Sequence, residues 1–201
     1  MRRTLVALAI ALCALGCQPS ASFQPEGACV ADGRAAGTYP ELEARLPPRL
    51  GEAAPTTVDS GRSCSDAKLS TLRTRGVADL RFAGATWDLP REQSVVVAVF
   101  ATPPGQPPLE AGWMSEFYEA GARQSTKTEN IDISHPSYEG PGEVYQLDTL
   151  NDLSFQSVIV WPGSGVVHAV IVATQLQPGG LSRADHDAEV KLAVEAAWGA
   201  G

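Results

Sequence analysis

Several things that would point to a function are scarce or missing in this 201-residue chain. Aromatic residues make up 6% and charged residues 19%, and there are three histidines and four cysteines. No His-x₃-His or Cys-x₂-Cys spacing occurs, which removes the usual sequence signs of a zinc site. Neither Gly-x₄-Gly-Lys nor Gly-x-Gly-x₂-Gly is present, so no phosphate cradle is written in the chain. The Gly-x-Ser-x-Gly elbow is missing too, since Gly163-Ser164-Gly165 is too short and reads as a turn. Basic residues are outnumbered, with a net charge of −8. That excludes an electrostatic footprint for nucleic acid or for anionic lipid. No apolar run reaches the roughly 20 residues of a membrane-spanning helix.

What is present begins with Arg2 and Arg3, followed by a short apolar run from Leu5 to Leu15. A basic start and an apolar stretch too short to span a bilayer predict an export signal. The run closes with Ala14-Leu15-Gly16-Cys17. This stretch resembles the signal peptide and lipobox of a bacterial lipoprotein. The resemblance implies cleavage before Cys17, diacylglyceryl attachment to its thiol and acylation of the freed amine with palmitate-type chains. Two or more chains hold a protein on a membrane stably, whereas one holds it marginally. Gln18 follows the cysteine, so the resemblance further implies the outer membrane of a two-membrane cell, or the outer face of a single membrane. The protein is then expected at the cell membrane or outer membrane, facing periplasm or exterior. Twelve arginines against three lysines, with abundant Ala, Gly and Pro, suggest a GC-rich genome. The layout is similar to that of many uncharacterised lipoproteins of GC-rich bacteria, a likeness that implies no activity.

Loss of residues 1–16 leaves 185 residues and, with Arg2 and Arg3 gone, moves the charge from −8 to −10. That length suits one domain with a real core. Cys13 departs with the signal and Cys17 takes the lipid, which leaves Cys29 and Cys64 as a pair in an oxidising setting. A disulfide is predicted between them, contributing about 4 kcal/mol by loop closure. Residues 17–28 read as a lipidated tether, whose eleven residues after Cys17 have an r.m.s. reach of about 18 Å. Residues 29–201 read as a single domain with a disulfide-pinned N-terminal helical subregion.

Within the domain, Glu41–Leu46 forms a short helical pattern stopped by Pro47-Pro48, and Gly51–Arg62 reads as loop. Ser65 caps a second helix through Lys68, Leu69, Leu72 and Arg73, ended by Gly76. Leu42, Leu46, Leu69 and Leu72 are the expected buried contacts of this N-terminal subregion. Leu80–Leu89 suggests a strand, and the continuous run Val95–Phe100 marks a central strand buried on both sides. A helix is predicted from Pro108 to about Arg123, with Leu109, Trp113 and Phe117 stacked on one face. Strands follow over Glu129–His135 and Val144–Leu150. Pro162-Gly163-Ser164-Gly165 then signals a hairpin joining Phe155–Trp161 to Val166–Gln175. Ser182 and Asp185 start a last helix with a buried stripe of Val190, Ala193, Val194 and Ala197, and Trp198 at its end. The expected fold is α+β, an antiparallel sheet of about five to six strands with helices packed on one face.

Candidate catalytic groups are isolated. His168 shares a strand face with Val166 and Val170, and His186 sits between Asp185 and Asp187 at a helix start. Ser134 and His135 are strand neighbours and point to opposite faces. The carboxylate pairs Glu41/Glu43 and Glu116/Glu119 read as solvated helix faces. No catalytic residue, metal ligand or cofactor is assigned, and no ligand-binding residue is singled out. The expectation is a membrane-anchored, non-catalytic envelope lipoprotein that binds a protein or another envelope component. Two alternatives stand beside it: a small-ligand or lipid carrier with a pocket between the sheet and the Trp113 helix, and an envelope hydrolase. Expected partners are the membrane through acylated Cys17 and an envelope protein or small ligand, with no nucleic acid.

Overall fold

The apolar run at Val95–Phe100 does become a central strand, and the other elements are laid down on either side of it. The computed structural model describes residues 23–151 and 154–201. In chain order its elements are β1 (Gly33–Ala35), α1 (Pro40–Glu43), β2 (Thr57–Ser63), α2 (Asp66–Leu69), α3 (Thr71–Thr74), β3 (Leu80–Leu89) and β4 (Gln93–Ala101). There follow α4 (Ala111–Gln124), β5 (Thr128–Ser134), β6 (Ser137–Tyr138), β7 (Gly142–Glu143), β8 (Tyr145–Asn151), β9 (Ser154–Pro162), β10 (Val167–Gln175) and α5 (Arg183–Ala200). The main sheet has eight strands in the order β1-β2-β3-β4-β10-β9-β8-β5, every pair antiparallel. The pair β6–β7 forms a separate small hairpin.

The α+β class stands, and two of its details change. Eight strands replace the expected five to six, because β1 and β2 add to the sheet. Helices also cover both faces rather than one. On one face α1 and α5 pack over Trp87, Val97, Ile159, Trp161 and Val170. On the other, α2, α3 and α4 bring Leu69, Leu72 and Met114 onto Leu147, Val158, Val160 and Ala169. The physical reason lies in β4, β9 and β10, which are apolar on both sides and need cover on both.

The stretch Thr57–Ser63, read from sequence as loop, is β2. Its buried residues are Ser60, Gly61 and Arg62, so it carries none of the apolar alternation that marks a strand. Gly61 is required by the close approach of β1: a Cβ there would sit 2.2 Å from the Gly33 carbonyl oxygen. The helix predicted from Ser65 to Gly76 is broken at Ser70, whose φ of 45° separates α2 from α3. α4 begins at Ala111, so Leu109 precedes it, and the deepest residues are Ala111 and Met114 rather than the Leu109-Trp113-Phe117 stripe. The expected capping box at Ser182 and Asp185 forms, and Val190, Ala193, Val194 and Ala197 are buried as read. Trp198 is 47% exposed and lies against Gly140 of the β6–β7 loop.

The Cys29–Cys64 disulfide is present, with Cα atoms 6.0 Å apart. Leu42, Leu46, Leu69 and Leu72 are all buried, the first two on the α5 side and the others on the α4 side. Part of the expected tether also belongs to the domain. The carbonyls of Gln24, Pro25 and Gly27 accept hydrogen bonds from Arg62 at 3.1–3.3 Å, and Pro25 accepts another from Tyr39 Oη. Residues 23–28 are thus fastened at the β1–β2 end of the sheet, while Cys17 and residues 1–22 lie outside the described residues. Among the described residues, no helix is long and apolar enough to cross a membrane.

Candidate functional site

Among the polar features that interrupt the apolar layers, two lie on opposite faces of the sheet. On the α5 face, His186 is fully buried, contrary to its expected place in helix-start electrostatics. Its Nε2 lies 2.8 Å from Ser157 Oγ, and its Nδ1 lies 2.8 Å from Thr174 Oγ1. Ser157 donates its hydroxyl proton to Asp148, so it accepts from His186 Nε2–H. Nδ1 is then the acceptor for the Thr174 hydroxyl, whose oxygen accepts from Gln93 Nε2 at 3.1 Å. Asp148 also takes bonds from Gln146 at 2.9 Å and Arg183 at 3.1 Å. Burial, together with neighbouring Arg183, holds the His186 imidazole below its ordinary pKa, which fits the neutral tautomer.

The three residue types of a hydrolytic triad are therefore adjacent but wired in the wrong order. A nucleophilic serine passes its proton to histidine, and the carboxylate orients that histidine. Here the serine gives its proton to the carboxylate, and Ser157 is wholly buried. The arrangement can fix α5 on β4, β8, β9 and β10; it cannot present a nucleophile.

The other histidines stay apart from it. His168 is 4% exposed and stacks parallel on Trp161, with ring centroids 5.3 Å apart, and its Nδ1 has no hydrogen-bond partner. Burial and nearby Arg45 push its pKa down to about 4. A histidine that stays neutral in the fold but titrates near 6.5 when unfolded stabilises the protein fully above pH 6.5. That contribution falls as pH drops from 6.5 to 4 and is flat below. The ceiling is on the order of 3 kcal/mol. Urea midpoints measured from pH 7.5 to 4 are expected to fall across this window, and the slope is expected to be shallower in His168→Leu. An equal slope in the variant would remove His168 as its source.

His135 touches the edge of Tyr145 and lines an open recess of about 410 Å³ that also holds Glu110 and Glu143. Neither exposed carboxylate bonds to His135, and among the described residues no serine, threonine or cysteine lines the recess. Ser134 pairs with Gln146 across the β5–β8 ladder. Among the described residues no three His, Cys, Asp or Glu side chains are placed to hold a metal.

The second polar feature is a cavity of about 400 Å³ between α4 and the sheet, in the place anticipated for a carrier pocket. Its floor is two cross-strand pairs of β8 and β9: Leu147 opposite Val158, and Thr149 opposite Gln156. Phe117 and Tyr118 of α4 form the wall, their rings edge to face at 5.5 Å. Burial raises the Tyr118 phenol above its ordinary pKa, so it remains a neutral O–H group. Among the described residues lining the cavity, none is charged. The sequence offered one sign of this site, a polar residue on the α4-facing side of each strand at Thr149 and Gln156, and nothing that identified them as neighbours.

Compared with known proteins, the chain matches no family model, no curated protein and no solved structure.

Proposed function

We propose that this protein is an exported bacterial lipoprotein, cleaved before Cys17 and acylated there, that presents a non-catalytic domain for binding an envelope component. The observation that carries the reading is the fastening of the chain directly after the proposed anchor. Arg62 and the Cys29–Cys64 bridge tie residues 24–29 to the sheet, as suits a domain held by its N-terminus in an oxidising compartment. From Cys17 to Phe23 the chain spans at most about 20 Å even when fully extended. The domain is then held with its β1–β2 end close to the bilayer, at the outer membrane or on the outer face of a single membrane. The inverted order of Asp148, Ser157 and His186 supports a non-catalytic role over hydrolysis of envelope polymers.

Replacement of Cys17 by alanine in the full-length chain tests the anchor. The variant is expected to move from the detergent-extracted membrane fraction to the soluble fraction outside the cytoplasm. Retention of Cys17→Ala in the membrane at wild-type levels would refute lipid anchoring.

A further inference from the structure

We propose that the cavity beneath α4 binds an uncharged saccharide unit carrying hydroxyl and acetamido groups, a deeper version of the envelope-binding reading above. A charged ligand entering the cavity would lose hydration without meeting a counter-charge from the described lining residues, all of which are neutral. A lipid chain fails for the opposite reason. It would cover the polar floor and leave Thr149 and Gln156 unpaired, and each buried polar group left without a partner is costly.

Thr149 is 7% exposed, and among the described residues its hydroxyl has no hydrogen-bond partner. Directly across the ladder, the Gln156 carboxamide is also without an internal partner. Together they offer a hydroxyl, an N–H₂ donor and a carbonyl acceptor on one side of the floor. Two residues along on the same face, Leu147 and Val158 supply an apolar patch, and Phe117 supplies an aromatic edge. The ligand must therefore be amphiphilic over a few ångströms, with donors and acceptors on one edge and C–H surface on another. A hexose ring with an N-acetyl group has this pattern, and a cavity of about 400 Å³ is within the usual range for small-molecule sites.

N-acetylglucosamine titrated into the purified full-length mature protein, followed by isothermal calorimetry and amide chemical shifts, is the test. Saturable binding is expected, weakened about tenfold by Thr149→Val and by Gln156→Leu with the melting temperature retained. Glucosamine, protonated at its amine, and N-acetylmuramic acid, a carboxylate, are expected to bind at least tenfold more weakly. Absence of saturable binding, affinity indifferent to both substitutions, or preference for a charged sugar would overturn the assignment. So would binding of the uncharged N-acetylalanine amide in place of the sugar, which would identify a peptide site. The two readings fail separately: membrane retention of Cys17→Ala refutes the anchor and leaves sugar binding in place, whereas an anchored protein that ignores the sugar refutes only the ligand.

Discussion

Replacing Arg62 by leucine is expected to lower the stability of the domain by about 3–5 kcal/mol, the usual cost of breaking a buried ion pair from one side. Arg62 is 1% exposed and pairs through both Nε and Nη2 with Asp79, itself almost buried. Removing the guanidinium strands the Asp79 carboxylate in the interior and releases the carbonyls of Gln24, Pro25 and Gly27. The loss should therefore have two signatures. Urea denaturation shows a lower midpoint, and limited proteolysis cuts residues 23–28 before the rest of the domain unfolds. The paired variant Arg62→Leu with Asp79→Leu is expected to lose less than Arg62→Leu alone, because no uncompensated charge remains. A cost below about 1 kcal/mol for Arg62→Leu would show that the ion pair is open to water and does not hold residues 23–28.

The disulfide is the second large contributor. Cys29→Ala with Cys64→Ala is expected to cost about 4 kcal/mol, from the freedom returned to a loop whose ends are 35 residues apart. That loop contains β1, α1 and β2, so their pairing at the edge of the sheet should be the first to fray. Hydrogen exchange on the reduced protein is expected to quicken at Gly33–Ala35 and Thr57–Ser63 while β4 and β10 stay protected. Arg62 and the bridge restrain the same segment, residues 23–29, so the combined variant should lose less than the two costs added together. Uniform loss of protection across all eight strands would instead mean that the edge and centre unfold as one unit.

Much of the centre of this fold was legible because there burial and apolarity coincide. Val95–Phe100, the hairpin at Pro162–Gly165 and the Ser182 capping box each carry a local signal that the tertiary structure leaves intact. The cysteine pairing followed from redox setting and count. Where the interior is polar, the same logic failed. β2 buries Arg62 and Ser60 through Asp79, Glu43 and backbone partners supplied 17 or more residues away, so its seven residues look like loop. The burial of His186 in α5 escapes the sequence for the same reason, since its partners Ser157 and Thr174 come from two strands, β9 and β10. The break at Ser70 depends on a left-handed backbone conformation at a non-glycine residue, which composition does not announce. The α4 cavity needed the register of β8 against β9, because only that ladder puts Thr149 beside Gln156.

The mature chain is expected to begin at an acylated Cys17 and to fold around a closed Cys29–Cys64 bridge. Intact-mass spectrometry of the protein extracted gently from its own membrane tests both parts in a single spectrum. The predicted result is a chain starting at residue 17, carrying the mass of its acyl groups and lacking two hydrogens. A chain that keeps residues 1–16, or one that starts at Cys17 with a free thiol and no lipid, would contradict the account.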